Sequence, residues 1–199
     1  MEKLSKNALT LLVIGLVVLG VLGYGLSKYN TLVSQDEQVS TAWGNLQSQY
    51  QRRADLIPNL VNTVKGYAKH EQETLTQLVE ARAKATQLTV DAADLTPEKL
   101  EQIQKVQGEL SQALGRLLAI QENYPDLKAN QNFLELQAQL EGTENRINES
   151  RRRYNTAVQD YNLEARRFPG NIVAGMFGFG RKAKFEAAPE AQNAPTVEF

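Results

Sequence analysis

Residues 133–161 read FLELQAQLEGTENRINESRRRYNTAVQDY, and their spacing sets the fold class. Phe133, Leu136, Leu140, Thr143, Ile147, Ser150, Tyr154, Ala157 and Tyr161 recur at intervals of three and four, which places them along one stripe of a helix. Working outward, Val39, Trp43, Leu46 and Tyr50 repeat the pattern upstream. So do Val61, Val64, Ala68, Leu75, Leu78, Arg82 and Ala85, with Glu71 at one seam position, and Ile103, Leu110, Leu114, Leu117 and Tyr124. No period-two run of useful length occurs. The body is predicted to be all-α.

Three points punctuate it. Pro58 lacks a backbone donor and disfavours helix at Ile57, so a break or kink is expected near Asp55–Pro58. Residues 89–97 (TVDAADLTP) read as a turn, with Thr96-Pro97-Glu98 as a helix start. Tyr124-Pro125 ends the third helix, and the fourth runs from about Asp126 to Arg167, some ~60 Å. The expected architecture is an antiparallel four-helix bundle with a very long last helix.

A membrane segment precedes it. Residues 8–26, ALTLLVIGLVVLGVLGYGL, carry no charge and reach ~28 Å as a helix, close to the hydrocarbon thickness. The apolar run is long for a signal peptide and lacks an A-x-A-like site, so the reading is an uncleaved transmembrane helix. Lys3 and Lys6 precede the span and Lys28 follows it, a balance that points to an extracytoplasmic body. The resulting organisation is a flank at 1–7, the span at 8–26, the bundle at 27–167, an apolar and basic segment at 168–185 and a disordered tail at 186–199.

Composition excludes several activities. In 199 residues there are 22 Lys+Arg against 23 Asp+Glu, no Cys and one His. Disulfides, thiol chemistry and Cys-ligated zinc are absent, and no basic excess suggests nucleic acid. His70-Glu71 lacks a second His at 74, where Thr stands, so no zinc helix is formed. No cofactor and no catalytic residue is expected. Arg52, Arg53 and Asp55 read as side chains serving the Pro58 join, with a phosphate- or carboxylate-binding patch as the alternative. Arg151, Arg152 and Arg153 read as a solvated face neutralised by Glu144, Glu149, Asp160 and Glu164. Trp43, Tyr154 and Tyr161 read as core.

The segment after the bundle, FPGNIVAGMFGFGRKAKF, is the least conventional. Ile172, Val173, Met176, Phe177 and Phe179 must bury against something, and Arg181, Lys182 and Lys184 could lie over lipid headgroups. Its own bundle, a lipid interface or a neighbouring subunit would each serve. The close-set glycines favour contact with another surface.

Several motifs together resemble the LemA family: Trp43-Gly44-Asn45-Leu46, the run Gln51 to Val61, Val64 to Glu71, Tyr124 to Asn130 with Phe133, and Thr143 to Ile147. Arg152-Arg153-Tyr154-Asn155, Tyr161-Asn162 and Phe168-Pro169-Gly170-Asn171 complete the set. The resemblance implies a bacterial membrane protein with one N-terminal span and a helical-bundle body; it implies no activity. The expected function is a membrane-anchored structural or scaffolding module that forms a homo-oligomer. The alternatives are an accessory subunit of a signalling or transport assembly, with a protein partner, and an enzyme using carboxylates around His70.

Overall fold

The computed structural model describes residues 6–186, and within them every regular element is helical. The basic flank at Lys3 and the tail from 187 onward lie outside the described residues. Helix α1 runs from Lys6 to Tyr67, 62 residues or ~93 Å, so the apolar segment and the first half of the body form one rod. There follow α2 (Gln72–Gln87), a 3₁₀ turn (Ala92–Asp94), α3 (Pro97–Ala119), a second 3₁₀ turn (Ile120–Asn123), the single turn α4 (Pro125–Lys128), α5 (Gln131–Arg166) and α6 (Gly170–Phe177).

The expected start at Thr96 is present: its side chain accepts from the Lys99 N–H at 3.3 Å, with Pro97 in the first turn. The long last helix starts later than Asp126. The chain makes α4, and Asn130 then caps α5 by accepting from the Phe133 N–H at 3.0 Å.

Helix α1 does not break at Pro58. Proline removes the N–H that would bond the Ala54 carbonyl. Arg82 of α2 supplies the missing donor, its Nε lying 2.8 Å from that oxygen. The reversal falls instead at Ala68–Glu71, with Leu75 and Leu78 folding back onto Val61 and Val64. Arg82 therefore does the work that Arg52 and Arg53 were expected to do. Arg82→Ala should lower stability by about 1–2 kcal/mol, because it leaves a carbonyl without a partner. In a Pro58→Ala background, where the backbone donor returns, the same change should cost clearly less. Equal losses in the two backgrounds, measured by chemical denaturation, would show that Arg82 acts only by packing.

Helices α1 and α5 pair along most of their length, the α5 number falling as the α1 number rises. Lys28 meets Glu164 at 2.7 Å, Tyr50 meets Arg151 at 3.0 Å, Arg53 meets Glu144 at 2.7 Å and Tyr67 meets Asn130 at 2.8 Å. Helices α2 and α3 pair with each other. The core divides into two clusters. One joins Ile57–Ala68 of α1 to α2, the second half of α3 and Phe133–Leu140. The other joins Leu32–Tyr50 to Leu100, Ile103 and Ile147–Tyr161, with Ala174 of α6.

Between them lies a polar waist. Arg53 is 1% exposed and donates to the Ser111 hydroxyl, the Glu144 carboxylate and both oxygens of Gln107, joining α1, α3 and α5. Gln107 and Thr143 are buried in the same layer.

Candidate membrane-proximal site and C-terminal strap

Helix α5 ends level with the start of the body, where Lys28 meets Glu164. The chain then turns through Phe168–Gly170, with a cis Phe168–Pro169 bond. Only glycine fits at 170, since a Cβ there would stand 2.4 Å from the Glu164 carbonyl oxygen. Helix α6 packs on α1 and α5 through Gly170 and Ala174, and closes at Gly178, whose φ of 76° is left-handed. From there residues 179–186 run extended along the body as a strap.

Two Tyr-Asn pairs hold the strap in register. Tyr161 donates to the Gly180 carbonyl at 3.0 Å, while the Asn162 amide both donates to and accepts from the backbone of Lys182, each at 2.9 Å. One heptad earlier, Tyr154 donates to the Ala183 carbonyl at 3.0 Å, and the Asn155 amide makes the same pair of hydrogen bonds with the Phe185 backbone, again 2.9 Å each way. Seven helical residues advance ~10.5 Å and three extended residues ~10 Å, so the two periods match. Asn155 and Asn162 thus act as a surrogate strand edge. The repeat of Tyr-Asn at a spacing of seven was the available signal, although periodicity alone assigns only the tyrosines, as core.

Burial pushes both phenols up to about 12, with the Asp36 carboxylate adding to the effect at Tyr161. Above pH 10 an unfolded tyrosine ionises while these two keep their protons. Their contribution to stability is therefore intact below pH 10 and lost as pH climbs towards 12. Denaturant midpoints should fall through that window, and Tyr154→Phe with Tyr161→Phe should flatten the fall. An equal fall in the double variant would place the sensitive groups elsewhere.

The expected contact segment divides in two. Phe179 is half-buried against Tyr29, with ring centroids 5.7 Å apart, and Val173 is half-buried in the core cluster. Lys182 pairs with Asp36 and lies 5.2 Å from the centre of the Tyr161 ring; the Lys184 ammonium reaches Gln159. Arg181 is exposed. Ile172, Met176 and Phe177 are 52%, 75% and 60% exposed, and Phe168 is 81% exposed. The strap half thus docks on its own body, while α6 presents apolar side chains outward.

Of the other singled-out residues, Trp43 is buried and its indole N–H donates to the Val90 carbonyl at 2.8 Å. Arg52 and Pro58 are exposed; Asp55 is exposed and accepts from Gln51. Arg152 and Arg153 pair with Glu149, as their spacing implies. Arg151 instead turns inward to the Tyr50 hydroxyl and lies over the Tyr50 and Phe185 rings. Glu144 and Glu164 are taken by Arg53 and Lys28. His70 is exposed in the α1–α2 turn, and Glu71 accepts from the Tyr124 hydroxyl at 3.3 Å. On another face of α1 an open groove of about 920 Å³ is lined by Asn30, Glu37, Thr41, Asn45, Arg146 and Arg153.

Among the described residues these features define an all-helical protein with one helix long and apolar enough to cross a membrane, its apolar window unburied by the rest of those residues. The profile of the LemA family matches residues 42–199, and the chain belongs to that family. Similar proteins include Magnetosome protein MamQ 2 of Paramagnetospirillum magneticum, 29% identical over 185 residues, covering 82% of this chain and 66% of the relative. Protein LemA of Metamycoplasma hominis is 26% identical over 164 residues, covering 82% and 71%. Magnetosome protein MamQ of Magnetospirillum gryphiswaldense is 26% identical over 185 residues, covering 82% and 66%. The chain thus spans just under two thirds of the length of these magnetosome relatives. None of the three names states a reaction.

Proposed function

We propose that this protein is a non-catalytic, membrane-anchored scaffold whose body is an antiparallel four-helix bundle that associates with further copies of itself. The observation that carries the reading is the mismatch in helix length. The body portion of α1, residues 27–67, extends ~62 Å and α5 ~54 Å, against ~24 Å for α2 and ~35 Å for α3. The α1–α5 pair therefore outreaches its neighbours towards the membrane, and an open groove runs along the pair between Asn30 and Gln49. A second copy would cover it. The continuity of α1 also favours a stiff stalk that transmits the orientation of the span to the body, on the extracytoplasmic side by the charge balance around the span.

The reading is non-catalytic because the candidate groups are otherwise placed: His70 in an exposed turn, Glu71 engaged by a tyrosine hydroxyl. The mass of the full-length assembly in native membrane nanodiscs tests it. More than one copy per assembly is expected. A single copy at all concentrations would overturn self-association, and a stoichiometric co-purifying protein would favour the accessory-subunit alternative.

A further inference from the structure

Helix α6 packs on α1 and α5, but half of it faces away from the protein. Gly170 and Ala174 are its buried positions, and Ile172, Met176 and Phe177 project from the rest. Its level along the stalk is fixed by Tyr29, whose ring lies 4.8 Å from that of Phe177. Tyr29 stands three residues beyond Leu26, the end of the apolar segment, or ~4.5 Å further along the helix axis. The exposed apolar surface of Leu9–Leu26 therefore ends within about one helical turn of the Tyr29–Phe177 contact, with Ser27 and Lys28 between. Three cations at this level have no acidic partner among the described residues. Arg166, Arg167 and Arg181 are exposed and join no ion pair among the described residues, whereas the nearby acids Glu164 and Asp36 are occupied by Lys28 and Lys182.

We propose that α6 is a second membrane contact, seating Ile172, Met176, Phe177 and the adjacent Phe168 in the interface of an anionic bilayer beside the foot of the span. The proposal rests on the reading of residues 8–26 as membrane-spanning. An amphipathic segment of this kind sinks ~5–10 Å into the headgroup–acyl boundary, and the three arginines would then meet lipid phosphates. Two attachments a helix width apart fix the tilt of the stalk, which one span leaves free to vary. The strap pulls in the same direction, since its Tyr-Asn register holds the chain immediately after α6 against the body.

The chain has no Cys, so single cysteines can carry a spin label in the full-length protein. Met176→Cys and Ile172→Cys replace exposed side chains. Leu19→Cys reports the span, and Lys84→Cys, exposed on α2, reports water. In nanodiscs holding one copy in phosphatidylcholine with phosphatidylglycerol, labels at 176 and 172 should collide with oxygen as a lipid site does. They should be several-fold less accessible to a water-soluble nickel relaxant than the label at 84. Access at 176 and 172 equal to that at 84, with 19 still in lipid, overturns the proposal and leaves the span intact. Water access at 19 overturns the span itself. Protection at 176 that appears only in discs holding two or more copies would assign α6 to a subunit contact instead. Replacing Arg166, Arg167 and Arg181 with Gln should raise nickel access at 176 in anionic discs and leave pure phosphatidylcholine discs unchanged; an equal change in both removes lipid charge from the account.

Discussion

Trp43→Ala is expected to destabilise the body by ~3–5 kcal/mol, a large fraction of what a domain of this size possesses. The indole is 2% exposed and sits where four segments converge. Its ring lies 5.6 Å from Tyr154 on α5 and 6.3 Å from Phe185 of the strap, centroid to centroid. Its N–H holds the Val90 carbonyl in the α2–α3 linker, an oxygen shared with the Gln47 amide at 2.9 Å. Alanine would leave a cavity between α1 and α5, and would release both the linker and the strap from a common anchor. Trp43→Phe separates the contributions: it keeps most of the packing and loses the hydrogen bond, so it should cost only about 1 kcal/mol beyond the lost volume. Denaturation of the full chain in nanodiscs, followed by circular dichroism, checks both. An unchanged midpoint for Trp43→Ala would mean that the membrane-side cluster contributes little to stability.

The second large effect is expected at the polar waist, and its size depends on which partner is removed. Glu144→Ala leaves the Arg53 guanidinium buried with only neutral acceptors. Removing one partner of a fully buried pair costs ~3–5 kcal/mol. The Glu144 side chain is 43% exposed, so part of its charge is already screened by water, and ~2–3 kcal/mol is the expected loss. Arg53→Met removes the charge together with its need for a partner and fills much of the same volume, so it should cost less despite deleting more hydrogen bonds. With both changes present, the loss should fall short of the sum by roughly 1–2 kcal/mol, the mark of a coupled pair. Additive losses would show that Arg53 and Glu144 contribute independently, through packing rather than as an ion pair.

Much of this was legible from spacing. The α5 stripe is buried at Phe133, Leu136, Leu140, Thr143, Ile147, Tyr154 and Tyr161, and Thr96-Pro97 opens α3. The reversal after α1 was not legible, for a definable reason. The four residues Ala68–Glu71 replace about one helical turn, so the 3–4 spacing from Val61 to Ala85 passes through the turn in phase. Proline was the stronger local signal, but it marks a missing donor rather than an end. A donor from another helix, Arg82, cancels the effect at Ala54.

The sequence by itself determined the helical class, the apolar segment at 8–26, the buried faces and the family, because each depends on local composition, period or order along the chain. Only the tertiary structure decided which partners the polar side chains take. Glu144 has no arginine three or four residues away on its own helix and takes Arg53 of α1, and Arg151, with no acid at that spacing, takes the Tyr50 hydroxyl and two rings. Likewise Asn155 and Asn162 gained a role only when the chain after Gly178 came back along α5. Charges and amides have many acceptable partners at short range, whereas a buried apolar face has one requirement, removal from water. Spacing therefore carries the second and not the first.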